Sequence, residues 1–320
     1  MKTLLQMYDD LREANATADF PVLLANVMYK KMLDRFKGVN SPWRKYTEQG
    51  NLTDFKSHKR VIMGEAPDLK ERAEGGQTTG STLQDYDYDI ALKTYDRSFT
   101  VTRQAIINDD LNALQKHPER FGRAAGRTIA KSAKGLLEGS FLAYDNTELF
   151  RTTVNIGDTA LTNDAAGIAA LSAGMTVIEK ATEPSSGEKM GLEAKYLITC
   201  PDLEDTALRL TTAQQFIPVS TGGGTNEIGK AKRLEVLIEP FLDTTTGWWI
   251  AAAPADAHFG EIGFLNGKDT PDLLVKKPDM LNLAGGDDQW GSEFNDLTYN
   301  VRYDYAVQAA YYQAVYRGKS

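Results

Sequence analysis

Phe99-Thr-Val-Thr-Arg-Gln-Ala-Ile-Ile-Asn-Asp-Asp-Leu111, then His117-Pro118, then Glu119-Arg-Phe-Gly-Arg-Ala-Ala-Gly-Arg-Thr-Ile-Ala-Lys-Ser-Ala-Lys-Gly-Leu-Leu-Glu138 is the stretch on which the fold turns. Phe99, Val101, Ala105 and Ile107 read as a strand, and Asn108-Asp109-Asp110 as a polar turn that caps a short helix. The His117-Pro118 pair is read as a break, with Pro118 in the first turn of a long helix, where its missing N–H has no partner to lose. That helix is expected to run to Leu142. Phe121, Ala125, Ile129, Ala133, Leu136 and Ser140 fall on one side at helical spacing, and Arg120, Arg123, Arg127, Lys131 and Lys134 fall on the other.

Towards the N-terminus, residues 1–45 read as an arm with one helix. Asp19 is placed to cap it, Pro21 lies near its first turn, and Val22, Leu23, Val27, Met28 and Leu33 give it an apolar side. Lys30, Lys31, Arg35 and Lys37 suit a helix C-terminus, and Gly38 stops it. Residues 46–98 read as an extended hairpin. Lys59–Met63 form one strand, Gly75, Gly76 and Gly80 lie at the tip, and Tyr86, Tyr88, Ile90 and Leu92 alternate with Asp85, Asp87, Asp89 and Ala91. An isolated hairpin is marginal in water. The Tyr/Ile/Leu face has no sequence-local partner, so either the body of the chain or a neighbour covers it.

Towards the C-terminus, residues 151–290 read as a compact α/β domain. It comprises a helix from Asp164 to Lys180, a buried strand at Tyr196–Thr199, a helix from Leu203 to Leu210 capped by Asp202, and strands at Leu234–Glu239 and Trp248–Ala252. Residues 291–320 close with strands in which Tyr299, Val301, Tyr303 and Tyr305 alternate with Asn300, Arg302 and Asp304.

The 320 residues hold 36 basic and 44 acidic side chains, a net charge of −8, with 42% hydrophobic and 25% charged residues. This is the composition of a globular protein whose surface as a whole does not coat nucleic acid. One local basic face remains compatible with it. Cys200 is the one cysteine, so neither an internal disulfide nor a cysteine zinc site is available. Met1–Asp10 lacks the apolar core of a secretory signal, and no apolar run is long enough to span a membrane. Gly224-Thr-Asn-Glu-Ile-Gly-Lys230 fits phosphate-loop spacing until Ala231, which stands where a magnesium-binding hydroxyl belongs. Ser186 and Lys189 have a Ser-x-x-Lys spacing in a polar loop, without the rigid mount that a nucleophile and its base need. His58, His117 and His258 lack ligand spacing. The alternating Asp85, Asp87 and Asp89 make a charged strip rather than an oxygen cage. No catalytic, cofactor or metal site is expected.

A strand feeding Ile106-Ile-Asn-Asp-Asp-Leu111 and then an Ala-rich, basic-backed helix resembles the spine-helix region of tailed-phage major capsid proteins, closest to the Mu-like major head subunits. The Pro201-Asp-Leu-Glu helix start, Leu237-Ile-Glu-Pro240, Trp248-Trp-Ile-Ala-Ala-Ala253 and the Val315-Tyr-Arg317 ending resemble the same family in the same order. One departure is that Leu149-Phe150 is followed by Val154-Asn-Ile-Gly157 rather than a His-Gly-Asn turn. The resemblance implies an α+β protein of the Hong Kong 97 phage-type fold. Its parts would be an N-terminal arm (1–45), an extended loop lying on the adjacent subunit (46–98), a peripheral domain with the spine helix (99–150), an axial domain (151–290) and C-terminal strands returning to the peripheral domain (291–320). It also implies a structural, non-enzymatic protein. Hexamers and pentamers of this chain would form an icosahedral virion shell around double-stranded DNA, with a separate scaffolding protein and a portal, assembled in host cytoplasm and without membrane. The runner-up readings are an encapsulin-type protein compartment and a cytoplasmic α/β enzyme using the Gly224–Lys230 loop. The residues expected at inter-subunit contacts are Asp85, Tyr86, Asp87, Tyr88, Asp89, Ile90, Arg120, Arg123, Arg127, Lys131 and Lys134.

Overall fold

Period-two and period-3.6 hydrophobicity sort the chain into strands and helices, and these cluster into two compact units, each assembled from separate stretches of sequence. The computed structural model describes residues 20–62, 69–72, 74–76, 80, 85–101, 111–184, 186–212, 215–216, 224–225, 234–276 and 297–318. The expected Asn108–Asp110 cap, the Asp19 cap and most of the Gly224–Lys230 loop lie outside them.

The first unit takes residues 1–39, 93–129 and 268–305. Its sheet is antiparallel, with residues 297–305 of the long strand Leu297–Ala309 between Lys93–Val101 and Asp272–Lys276. The alternation along the middle strand sets which side chains enter the core. Tyr299, Val301, Tyr303 and Tyr305 are buried. Phe99 stacks on Tyr299 at 5.1 Å and on Phe121 of the long helix at 4.7 Å, and Phe36 meets Tyr303 edge-on at 5.6 Å. The arm helix, Phe20–Lys37, buries Val27, Met28, Met32 and Phe36. It lies so close to the long helix that a Cβ on Gly122 would stand 2.2 Å from the Met32 carbonyl oxygen. Lys31 and Arg35 reach Glu119 at 3.7 and 3.1 Å.

The long helix corrects two expectations. It spans Leu111–Glu138, so Pro118 lies inside it rather than at its start, and there is no break at His117-Pro118. An interior proline removes one helical hydrogen bond, and a long helix absorbs that loss. The helix also ends four residues earlier than Leu142. Gly139 takes φ +78°, and Ser140 N–H donates to the Gly135 carbonyl at 2.9 Å, which is the glycine-terminated stop of a helix.

The second unit takes residues 40–92, 130–267 and 306–320. Its largest sheet has the order 156–157, 315–318, 248–252, 194–199, 235–238. The central strand, Trp248–Ala252, is buried along its whole length, as its unbroken apolar run demands. The helix Ala165–Glu179 packs on this sheet, with Asp164 capping it by accepting from Gly167 N–H at 3.0 Å. Gly174 brings that helix within 2.8 Å of Ile250 and Tyr316, measured from where a Cβ would stand. The helix Glu204–Thr212 covers the strands 194–199 and 235–238. Cys200 is buried at the end of its strand. Three further strand pairs lie in the unit: a parallel one, Glu48–Leu52 with Gly260–Leu265, and two antiparallel ones, His58–Ile62 with Tyr86–Ile90 and Gln215–Phe216 with Gly224–Thr225.

Candidate assembly surface

The hairpin stretch Asp85–Ile90 carries six of the eleven residues expected at subunit contacts, so its two faces decide what is left for a neighbour. Alternation sends Tyr88 and Ile90 inwards. Ile90 packs with Leu52, Leu92 and Ala306, and Tyr88 with Ile62, Tyr144 and Ala310. The apolar face is therefore covered by the chain's own residues. Of the two coverings open to this face, the chain's own body supplies that of Tyr88 and Ile90, through the strand Glu48–Leu52 and residues after 305 that are distant in sequence. Tyr86 is half-buried, with its ring 4.9 Å from that of Tyr144.

Beneath the hairpin lies a buried charge. Glu261, 3% exposed, sits in the apolar strand Gly260–Leu265. Arg60 contacts its Oε1 through Nε at 3.0 Å and Nη2 at 2.8 Å. Tyr88 donates its hydroxyl to Oε2. His258 Nε2 lies 3.1 Å from the same hydroxyl. Burial pushes the Tyr88 phenol up and the His258 imidazole down, the Glu261 carboxylate opposing the latter. Gly50 makes room for the carboxylate, since a Cβ there would stand 1.8 Å from Glu261 Oε1. A paired, fully hydrogen-bonded buried carboxylate fastens one element to another, and here it joins both hairpin strands to the parallel pair.

The outward face of the hairpin is acidic. Asp85, Asp87 and Asp89 are exposed, and Lys59 on the paired strand reaches Asp87 at 2.5 Å. Along the long helix, Arg120, Arg123, Arg127 and Lys131 are exposed, while Ile129, Ala133 and Leu136 are buried on the opposite side. Lys134 differs from the other four. It is held by Asp243 at 2.5 Å and Glu138 at 3.0 Å, which raises its pKa, the Asp243 hydrogen bond being the largest cause. No spacing rule signals this pairing, because Asp243 lies in a loop far along the chain.

Other polar groups are structural. His58 pairs with Asp54 at 2.8 Å, and His117 stacks on Phe99 at 6.3 Å. Among the described residues no three His, Cys, Asp or Glu converge as a metal site, and no helix is long and apolar enough to cross a membrane.

The sequence profile described as phage capsid protein matches residues 86–318. The chain belongs to the phage capsid protein family. No curated protein matches the sequence. Among solved structures, that of Gordonia phage Cozz is similar at 12% identity, covering 88% of this chain and 86% of that one, with a TM-score of 0.54. That of Microbacterium phage Oxtober96 is similar at 10% identity, covering 88% and 91%, with a TM-score of 0.53. The virus-like particle from Pyrococcus furiosus is similar at 12% identity, covering 91% and 97%, with a TM-score of 0.52. The fold of this capsid protein is the Hong Kong 97 phage-type fold, α+β. Its role is structural, that of a major capsid protein, and its place is the capsid of a virion.

Proposed function

We propose that this capsid protein forms hexamers and pentamers in host cytoplasm and closes them into an icosahedral shell around double-stranded DNA, with a separate scaffolding protein and a portal. The profile match over residues 86–318 carries this reading. The finer placement beside the Mu-like head subunits rests on the phrases around the spine helix and at the C-terminal strands. The exposed Arg120, Arg123, Arg127 and Lys131 supply one side of a subunit contact, and the exposed Asp85, Asp87 and Asp89 of a neighbour supply the other. Electron microscopy of the protein produced with and without its scaffold is the test, followed by nuclease digestion of any particles. Closed shells with nuclease-protected DNA are expected. A chain that stays monomeric in both preparations overturns the proposal, and shells filled with protein cargo instead of DNA move it to the encapsulin-type reading.

A further inference from the structure

Glu239 follows the strand Glu235–Ile238 and is fully buried. Two side-chain hydroxyls reach its carboxyl, and both meet the same oxygen: Ser41 and Tyr46 donate to Oε2 at 2.7 and 3.3 Å. Oε1 is buried without a hydrogen-bond partner. Ser41 and Tyr46 belong to one short stretch, where the chain enters the second unit at Asn40 after the arm helix. That stretch winds into the single turn Trp43–Tyr46. Lys45 N–H donates to the Pro42 carbonyl at 2.8 Å and Thr47 N–H to the Trp43 carbonyl at 3.0 Å. Trp43, Tyr46 and Thr47 are buried.

The uneven hydrogen bonding of Glu239 is that of a neutral acid. An ionised carboxylate has two equivalent acceptor oxygens, whereas a protonated one keeps a strong acceptor in its carbonyl and a weak one in its hydroxyl. A buried carboxylate without a paired cation also carries a large desolvation cost. The groups packed around Glu239 do not offset it. Burial, then the Glu239 charge, pushes the Tyr46 phenol up, so Tyr46 remains a neutral donor. Lys134 on the long helix acts on the carboxyl through its charge, but its ammonium is held by Asp243 at 2.5 Å and Glu138 at 3.0 Å. Lys45 is taken up by Glu235 at 2.5 Å. The strand Ala194–Thr199 offers an uncharged group, the Thr199 carbonyl, which accepts the Glu239 N–H at 2.9 Å.

We propose that residues 41–47 form a proton-operated clasp, which the neutral carboxyl of Glu239 holds shut and which opens, without unfolding of the central strand, when that carboxyl gives its proton to solvent. The open clasp exposes a carboxyl that ionises near the ordinary glutamate value of 4.5, while burial keeps the closed one protonated up to about 7. Opening therefore becomes about tenfold easier per pH unit between those values and levels off above them. Hydrogen exchange of the full-length protein, corrected for the intrinsic pH dependence, tests this at the Lys45 and Thr47 amides. Their protection is expected to fall in that window, and to be lost ahead of that of the Trp248–Ala252 amides at every pH. Glu239→Gln, which copies the neutral acid, should remove the fall. Ser41→Ala removes a bond that favours the ionised form, so the levelling-off should move to higher pH. Protection that is independent of pH in the parent, that falls as steeply in Glu239→Gln, or that is lost only together with the central strand overturns the proposal. An unmoved levelling-off in Ser41→Ala does so as well.

Discussion

The hydroxyl of Tyr88 donates to Oε2 of Glu261 over 2.5 Å, so the hairpin strand Tyr86–Ile90 is fastened to the strand Gly260–Leu265 through a buried carboxylate. Tyr88→Phe keeps the ring and removes the donor. It leaves Glu261 with Arg60 alone, and leaving a buried acceptor short of a partner costs about 1–3 kcal/mol. The urea midpoint, followed by circular dichroism, should fall by the corresponding amount, and an unchanged midpoint would show that the bond contributes nothing to holding the hairpin.

Glu239 carries a pH dependence. It is fully buried, Ser41 donates to its Oε2 at 2.7 Å and Tyr46 at 3.3 Å, and burial raises its carboxyl to about 7. The folded protein thus holds a proton that the unfolded chain releases near the ordinary glutamate value. The resulting stability is complete below that value and is lost as pH rises through about 7. Glu239→Gln keeps the hydrogen-bonding shape without the titration. Unfolding free energies from denaturant titrations between pH 4.5 and 7.5 should decline in the parent by up to ~3 kcal/mol more than in the variant. Parallel pH profiles would refute the assignment.

Gly122 sits where two helices of the first unit touch. Any side chain there meets the Met32 backbone at 2.2 Å, and backbone does not give way as a side-chain tip does. Gly122→Ala should destabilise the first unit by ~1–3 kcal/mol despite alanine's better helix propensity. Hydrogen exchange of the arm-helix amides is the readout, and protection equal to or above the parent's would contradict the close approach.

The exposed cations Arg123 and Arg127 should matter for assembly rather than for folding. Arg123→Glu with Arg127→Glu is expected to leave thermal unfolding nearly unchanged and to block shell formation. Adding Asp87→Lys with Asp89→Lys should restore part of it. Exposed pairs are individually worth only ~0–1 kcal/mol, so the effect depends on repetition across a shell and should weaken at high salt. Normal assembly of the first double variant without DNA would shift the role of this face towards packaged DNA.

How much of this was readable beforehand depends on how local each signal is. The helix read from Asp164 to Lys180, the strand Trp248–Ala252 and the alternation from Asp85 to Leu92 are encoded within a few residues, and the structure has them where the sequence puts them, the helix running over Ala165–Glu179. The strand Glu48–Leu52 was not readable, because Glu-Gln-Gly-Asn-Leu has poor strand propensity and is held by partners distant in sequence, its parallel neighbour Gly260–Leu265 first. Pro118 misled for the opposite reason: its local preference for a helix start yields to the packing of a long helix. The network around Glu261 joins Arg60, Tyr88 and His258 across some 200 positions, a distance over which no spacing rule operates. One hint was available. Phe259-Gly-Glu-Ile-Gly-Phe264 is an apolar run with a single carboxylate, and a charge inside a buried strand must have a partner somewhere.

The strand order of the largest sheet has a consequence for biosynthesis. Residues 315–318 lie between 156–157 and 248–252, and Asn155 stitches them in, its Nδ2 donating to the carbonyls of Leu149, Tyr312 and Val315 at 2.9 to 3.1 Å. A nascent chain translated only as far as residue 300 therefore presents the apolar strand Trp248–Ala252 with one hydrogen-bonding edge open. An open edge of that kind invites pairing with any other chain. The edge of Trp248–Ala252 is thus sealed only once residues 315–318 have been made, and a chain stopped before them keeps that edge open.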